Sequence, residues 1–136
     1  MIEYIADPSE ITADQLRGGF FEGWPAPPSP EVHLAHLRGS EVAVVAVDAA
    51  TGQVVGFVTA IGDGVLTAFL PLLEVLPRYR GRGIGSELMR LVLAELGDRY
   101  SVDLVCDPDV VPFYEHLGGV PGTAIMWRRR DALDGI

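Results

Sequence analysis

The sequence predicts a mixed α/β fold in which helices flank a single sheet, and two changes of pattern along the chain support this. In the first half, apolar stretches are joined by short turns such as "AATGQ", which is typical of an antiparallel meander. After Pro77 an apolar helix is followed by another strand, and this order favours a right-handed crossover with parallel pairing. Because no repeat or linker interrupts the 136 residues, we expect one domain spanning 1–136.

Individual elements follow from local signals. Strands are predicted at about residues 2–5, 42–48, 54–61, 65–76, 101–106 and 123–129. Helices are predicted at about residues 12–21, 30–38, 86–96 and 110–117. Ser29 followed by Pro30 is a helix start signal, and four prolines between residues 23 and 30 predict a loop. The helix at 86–96 has few polar positions, so we expect neighbouring elements to cover most of it.

Composition restricts the functional classes. Hydrophobic residues make up 49% and charged residues 21% of the chain, which is the balance of a globular protein. A net charge of −9 argues against a general nucleic-acid binder, since phosphate backbones attract a positive surface. The single cysteine, Cys106, excludes an intrachain disulfide, and the first ten residues lack the basic region of a signal peptide. No apolar run has the length of a bilayer span, so we expect a soluble cytoplasmic protein.

The stretch "RGRGIG" at residues 80–85 predicts a diphosphate site. Gly81, Gly83 and Gly85 carry no Cβ and let backbone N–H groups approach a bulky anion closely. They lead into a helix whose first N–H groups are unpaired and carry the positive end of its dipole, and Arg80 and Arg82 add full charges. The spacing matches neither a Walker loop nor the G-x-G-x-x-G motif of dinucleotide-binding folds. A flexible Gly-Arg turn is the alternative interpretation.

Two motifs resemble a known family. "LEVLPRYRGRGIGSELM" is similar to the acetyl-CoA-binding motif of the GNAT superfamily of N-acetyltransferases, whose core is matched by Arg80, Gly83 and Gly85. "DPDVVPFYEHLGG" resembles a second helical motif of the same family. The resemblance covers nearly the whole chain. It implies the GNAT fold, a single mixed sheet with an antiparallel N-terminal meander and a parallel, splayed pair formed by the fourth and fifth strands.

The resemblance also implies a cofactor site. In the family, the pantetheine arm of acetyl-CoA pairs like a strand with backbone where the fourth strand splays from the fifth, and by position this backbone is Leu73, Glu74 and Val75. The pyrophosphate and its counter-charges are expected on the following segment, which is Arg80, Gly81, Arg82, Gly83, Ile84, Gly85 and Ser86. Acetyl-CoA is therefore the expected co-substrate, with no metal.

The chemistry implied is direct attack of a substrate amine on the thioester. Tyr114 stands at the tyrosine of the family's Phe-Tyr pair, which implies a general acid for the departing thiolate; core packing is the alternative. Glu74, at the splay point, is the candidate base for the amine proton, directly or through water, although it could equally be a surface carboxylate or an arginine's partner. Asp63 is a second candidate base in a glycine-flanked turn, where aspartate is common.

The acceptor pocket has few sequence markers. Phe21 and Trp24 precede the proline-rich loop and either line this pocket, which would favour an aromatic and partly cationic amine, or anchor the loop. The family's usual asparagine after the fifth strand is absent from "CDPD"; Asp107 either substitutes for it or caps the next helix. Cys106 is expected to be a small buried residue. The three histidines, His33, His36 and His116, do not predict a metal site.

The function predicted is acetyl transfer from acetyl-CoA to a primary amine of a small molecule or an exposed protein amine. A non-catalytic acyl-CoA-binding module with the same fold is the alternative, and a nucleotide-binding protein is a third. The basic run of Arg128, Arg129 and Arg130 is either a solvated terminal strand or a contact with a neighbouring subunit, because members of the family often form homodimers.

Overall fold

The computed structural model describes residues 1–129 of the chain. These residues form a mixed α/β fold with one six-stranded sheet flanked by helices, which confirms the predicted fold class. Within residues 1–129, no helix combines the length and the apolar character that crossing a membrane requires.

The sheet is mostly antiparallel. Its strands are β1 Ile2–Ile5, β2 Val42–Asp48, β3 Val54–Gly62, β4 Thr67–Phe69, β5 Leu73–Val75 and β6 Ser101–Asp103. The spatial order is β1-β2-β3-β4-β6, and β5 pairs with the other end of β3. Among the described strands, only β4 and β6 pair in parallel. They lie within the predicted fourth and fifth strands, at 65–76 and 101–106, for which parallel pairing was expected.

The helices cover both faces of this sheet. They are α1 Pro30–Gly39, α2 Ile84–Leu96 and α3 Val111–His116, with short 3-10 helices at Pro8–Glu10, Ala13–Leu16, Pro77–Tyr79 and Pro108–Val110. The predicted cap of α1 is present, since Ser29 Oγ accepts from the Val32 N–H at 3.1 Å. Alternate residues of β2 face α1 or α2, so the sheet centre is buried on both sides.

Close packing fixes the position of α2. Gly56 in β3 lies directly under its first turns, where an added Cβ would stand 3.2 Å from Leu88 Cδ1 and 3.3 Å from Ile84 Cγ2. The same Cβ would stand 3.2 Å from the carbonyl oxygen of Glu74 in β5. The missing side chain at Gly56 therefore lets the N-terminus of α2 approach the middle of the sheet and the end of β5.

Four predicted elements differ from the structure, three of them in length or continuity. The strand predicted at 65–76 is broken between β4 and β5, because Pro71 lacks the N–H that a continuous ladder needs. The next predicted strand, 101–106, ends at Asp103, where the chain leaves β4. The helix predicted at 12–21 is only a 3-10 turn followed by irregular chain, in which Gly19 and Phe21 have positive φ.

The strand predicted at 123–129 is absent from the described chain. Residues 120–129 have no regular secondary structure and no backbone hydrogen bond to any other described residue. A strand needs a neighbouring strand to pair its backbone N–H and C=O groups, and the described chain offers none to residues 123–129. Arg130, the last residue of the predicted basic run, lies outside the described residues.

Candidate functional site

The break after β4 opens a cleft in the sheet. β4 pairs with β6, but β5 pairs with β3, so β5 and residues 104–107 diverge. A cavity of about 350 Å³ occupies the opening. Its walls come from the β4–β5 segment, from the chain after β6 and from α3, and they include Glu74, Arg80, Leu104, Cys106 and Tyr114. The cleft thus brings together Glu74, Arg80 and Tyr114, three of the residues that the sequence singled out.

The backbone of β5 faces this cleft. The carbonyl of Leu72 accepts from Thr59 and the N–H of Leu76 donates to Val55, so both of these residues direct a backbone group toward β3. Because hydrogen bonding alternates along an antiparallel strand, the N–H and C=O groups of Leu73 and Val75 point away from β3. Leu73 therefore offers its N–H and C=O, and Val75 its N–H, to a ligand lying in the opening, while the Val75 carbonyl accepts from Arg80 Nε.

The loop after β5 ends at the open N-terminus of α2. Within the described chain, no backbone acceptor pairs with the N–H groups of residues 81–86. Gly81 and Gly83 have φ of 76° and 81°, a left-handed conformation that is costly for residues with a Cβ. A Cβ on Gly85 would meet Phe113 at 3.6 Å and Val75 Cγ2 at 3.9 Å, which are ordinary contacts. The protein's own packing therefore does not explain a glycine at position 85, whereas close approach of a ligand does.

The arginines of the loop differ in their surroundings. Arg80 Nε donates to the carbonyl of Val75 at 2.9 Å, which ties the loop to the end of β5 beside the cavity. The Arg82 guanidinium lies 5.0 Å from the ring centre of Tyr79, and the Tyr79 hydroxyl donates to Asp48 at 2.7 Å. Both arginines belong to the loop that carries the unpaired N–H groups, Arg80 beside the cavity and Arg82 over Tyr79. A diphosphate fits this arrangement, because dipole, free donors and charge coincide there.

The carboxylate of Glu74 is held at the edge of the cleft. Its Oε1 accepts a hydrogen bond of 3.0 Å from the backbone N–H of Phe21. Burial raises the pKa of the Glu74 carboxyl above its ordinary value, while the Phe21 N–H and the charge of Arg80 act in the opposite direction. A raised pKa makes the Glu74 carboxylate a stronger proton acceptor than an ordinary glutamate.

Tyr114 lines the same cavity as Glu74, from α3. Burial, and to a smaller extent the neighbouring Cys106, raise the pKa of the Tyr114 hydroxyl. Its ring packs edge-on against Phe113 at a centroid distance of 4.9 Å. The side chain is half-buried, with its ring against the core and one side on the cleft, so packing and proton donation are compatible.

Family comparison agrees with this geometry. A model of the acetyltransferase (GNAT) family matches residues 10–119, which include β5, the glycine-rich loop, α2 and α3. This chain belongs to the GNAT family. The GNAT family uses acetyl-CoA.

Solved and curated relatives are similar to this GNAT chain to different extents. A Deinococcus radiodurans R1 protein, named for a suspected acetyltransferase activity, is 52% identical with a TM-score of 0.94, covering 99% of this chain and 93% of that one. An uncharacterised N-acetyltransferase of Prochlorococcus marinus is 38% identical over 48% of this chain and 38% of its own length. Rice chloroplastic serotonin N-acetyltransferase 2 is 36% identical over 49% of this chain and 34% of its own length. The chain thus spans well under half of these two curated relatives.

A second, larger cavity adjoins the cleft on the side away from α3. It measures about 760 Å³, and most of its walls are apolar, although Arg128 and Arg129 also line it. The apolar lining includes Trp24, Pro25, Phe69, Pro71, Leu72, Val105, Ile125, Met126 and Trp127. Trp24 lines both cavities and is 40% exposed. Phe21 is buried and lines neither cavity; it contributes its backbone N–H to Glu74 instead. Sequence reasoning missed Phe69, Leu72 and Val105 because the break at Pro71 that exposes them was not foreseen.

The remaining candidates from the sequence have defined places. Asp63 Oδ1 accepts from the backbone N–H groups of residues 65–67, which lowers its pKa to about 2, so it is a turn carboxylate and not a base. Asp107 precedes the 3-10 helix at Pro108–Val110, but its side chain makes no capping bond and lines the cleft. Cys106 is half-buried on the same wall, so it is less buried than the sequence predicted.

The histidines of α1 lie behind the site. His33 is 1% exposed, packs among Phe20, Phe21 and Phe57, and has an Nε2 atom without a hydrogen-bond partner among the described residues. His36 Nε2 lies 2.8 Å from Thr59 Oγ1. Their surroundings are aromatic rings and a hydroxyl, so α1 supports the wall from which Phe21 reaches Glu74.

Proposed function

We propose that this chain is an N-acetyltransferase that transfers the acetyl group of acetyl-CoA to a primary amine. The observation that carries the proposal is the cleft itself, in which the free backbone groups of β5, the half-buried Glu74 and the half-buried Tyr114 line one cavity beside an open helix N-terminus. The family assignment supports acetyl-CoA as the donor. Leu73 would pair with the pantetheine arm, the Val75 N–H would face the thioester, and residues 80–86 would hold the pyrophosphate.

Two residues of the cleft carry the proton transfers, with Glu74 as the base and Tyr114 as the acid. When bound, acetyl-CoA supplies a thioester, whose carbonyl carbon forms a bond to the amine nitrogen as the bond to sulfur breaks. Glu74 accepts the proton that the amine must lose, directly or through water. The Val75 N–H, which points into the cleft, donates to the oxygen that becomes negative. Tyr114 keeps its proton over the working pH range and donates it to the departing sulfur.

The acceptor is expected in the second cavity. Trp24 connects this cavity to the cleft, so an amine entering here would have its nitrogen toward Glu74 and its remaining atoms among apolar side chains. A rice relative is named for serotonin, an aromatic amine, and Trp24 and Phe69 line the cavity of this chain. We therefore propose small primary amines with an aromatic group as the first acceptors to test, ahead of protein amines.

The test combines turnover and binding. Free-thiol release from acetyl-CoA is measured with a panel of aromatic and aliphatic primary amines, and acetyl-CoA affinity is measured by calorimetry. Tyr114→Phe should lower turnover by about a hundredfold with little change in affinity. Tyr100→Phe is the matched control, because Tyr100 is 88% exposed and lies outside both cavities. Binding without turnover for every amine would favour an acyl-CoA-binding module, and absent binding would refute the cofactor site.

A further inference from the structure

We propose that the acceptor of this chain carries an anionic group, separated from its primary amine by an aromatic body. The inference rests on the proposed acetyl transfer and narrows its acceptor class. It follows from the distribution of charge over the two adjoining cavities, since carboxylates line the cleft that receives the amine and arginines line the second cavity. An amine with an anion at its other end matches both.

The cleft is the acidic part of this pair of cavities. Glu22, Glu74 and Asp107 line it, and among the described residues Arg80 is the only arginine or lysine on its walls. The Arg80 side chain is held against the backbone, because its Nε donates to the Val75 carbonyl at 2.9 Å. An ammonium group is therefore attracted to the cleft, where Glu74 is placed to take its proton.

The second cavity has the opposite charge. In the part of the chain that the structure describes, no aspartate or glutamate lines it, whereas Arg128 and Arg129 both do. Both arginines are exposed, and within residues 1–129 neither guanidinium forms an ion pair with a carboxylate. A guanidinium is always charged and presents several N–H donors to a carboxylate or a phosphate. An anion in this cavity would therefore meet two positive charges and no negative one.

The walls that connect these charged regions are apolar. Trp24, Leu72 and Val105 line both cavities and mark the passage between them. Phe69 and Trp127 extend this apolar surface within the second cavity, where they are 37% and 89% exposed. Aromatic walls suit an aromatic body, and a volume of about 760 Å³ is within the usual range for a small ligand.

The separation of the two charges decides which amines fit. In an α-amino acid the carboxylate is adjacent to the amine, so with the nitrogen at Glu74 that carboxylate would lie among the acidic side chains of the cleft. The chain also has a net charge of −9 and repels anions in general. Arg128 and Arg129 provide a local attraction only for an anion that reaches the second cavity. The structure thus favours an amine and an anion at opposite ends of a ring.

The experiment compares two amines of the same shape that differ in charge. The first, para-(aminomethyl)benzoate, has a carboxylate across the ring from its amine, and para-(aminomethyl)benzamide is its neutral counterpart. We expect kcat/KM to be about tenfold higher for the benzoate, mainly through a lower KM. This preference should decrease as the salt concentration rises, because salt screens exposed charges. Phenylalanine, whose carboxylate is adjacent to its amine, should be a poorer substrate than the benzoate.

Variants of the two arginines assign the preference to the second cavity. Arg128→Gln combined with Arg129→Gln should lower kcat/KM for the benzoate by about tenfold, to the value for the benzamide. Arg128→Lys combined with Arg129→Lys keeps both charges and should retain most of the preference. Arg17→Gln combined with Arg90→Gln is the matched control, because both arginines are exposed and line neither cavity, and their loss changes the net charge equally. Thermal unfolding shows that each variant is still folded.

Fluorescence titration measures binding independently of turnover. The chain has two tryptophans, Trp24 and Trp127, and both line the second cavity, so quenching of their fluorescence reports its occupancy. We expect the benzoate to bind about tenfold more tightly than the benzamide, and only while both arginines are present. If no amine is turned over, the proposed acetyl transfer fails, and this titration still decides whether the second cavity binds an anion.

Three results would overturn the anionic acceptor. The first is equal kcat/KM and equal affinity for the two amines in the parent chain, which would leave acetyl transfer supported if the benzamide is turned over. The second is a preference for the benzoate that persists after both arginines are replaced by glutamine. The third is a loss of acetyl-CoA affinity in that variant, measured by calorimetry, which would assign the arginines to the cofactor.

Discussion

The backbone N–H of Phe21 donates to Oε1 of Glu74 over 3.0 Å, and Phe21 adopts a left-handed conformation to do so. Its φ of 65° is the only positive φ of a non-glycine residue in the described chain. The ring is 4% exposed and packs against Trp24, His33 and Phe57. The buried ring therefore holds a strained backbone in place, and that backbone orients the carboxylate at the cleft.

Substitutions at Phe21 test this strain. Phe21→Ala and Phe21→Gly both remove the ring, and each should lower the free energy of unfolding by about 3–5 kcal/mol. Alanine keeps the Cβ that makes a left-handed backbone costly, whereas glycine does not. We therefore expect the glycine variant to be the more stable of the two by about 0.5–1 kcal/mol, measured by urea denaturation. Equal stabilities, or a more stable alanine variant, would show that the backbone at this position is not strained.

Glu74→Gln tests the proposed base. Burial raises the pKa of the Glu74 carboxyl, and only the deprotonated form accepts a proton, so activity should fall as pH decreases through this raised pKa. The glutamine variant should lose about a hundredfold in kcat and lose this acidic decline, with near-normal acetyl-CoA affinity. Glu22→Gln is the control, because Glu22 is exposed on the same cavity. An unchanged rate and pH profile in Glu74→Gln would mean that the carboxylate only anchors Phe21.

Local signals predicted those parts of the fold that depend on few neighbours. Ser29 and Pro30 predicted the start of α1, and the predicted end at residue 38 is one residue from the observed Gly39. The glycine-rich loop was also predictable, because glycine spacing before an apolar helix has a direct physical meaning. The Phe21–Glu74 bond was not, since it joins residues far apart in sequence through a backbone conformation that phenylalanine rarely adopts.

Parts of the sheet depend on partners that a sequence does not identify. The run at 65–76 has strand-forming residues throughout, yet Pro71 separates two strands that pair with different ends of β3. The cleft is the consequence of that break. Of the residues that line the larger cavity beside it, the sequence therefore predicted only Trp24 as part of an acceptor pocket. The run at 123–129 has the composition of a strand, but no described strand of the same chain pairs with it.

Gly83→Ala tests the cofactor cradle against a matched control. Gly83 and Gly52 have φ of 81° and 77°, and at both positions an added Cβ would meet open space. Alanine should therefore cost each about 1–2 kcal/mol of stability through the left-handed backbone alone. Only Gly83 begins the helix at the cleft, while Gly52 lies in the β2–β3 turn. We expect acetyl-CoA affinity to fall about tenfold or more in Gly83→Ala and to stay unchanged in Gly52→Ala, by calorimetry.

An acetyl-CoA affinity that is unchanged in Gly83→Ala would contradict a diphosphate at residues 81–86. A parallel loss of affinity in both would instead mean that binding follows global stability. Urea denaturation of both proteins separates these outcomes, because the two substitutions are expected to cost similar free energies of unfolding.

His33→Leu tests how the wall behind Phe21 responds to acid. Burial, and then the neighbouring His36, lower the pKa of His33 from 6.5 to about 4. Below pH 6.5 the unfolded chain binds a proton that the folded chain does not, so this group's contribution to stability is present above pH 6.5 and is lost as pH falls to about 4. The loss in the free energy of unfolding should approach about 3 kcal/mol.

His33→Leu should remove that part of the pH dependence, measured by urea denaturation between neutral and acidic pH. His116→Gln, on the exposed end of α3, controls for the loss of an imidazole. If His33→Leu and the parent chain lose stability in parallel, the histidine does not set the acid sensitivity of this wall.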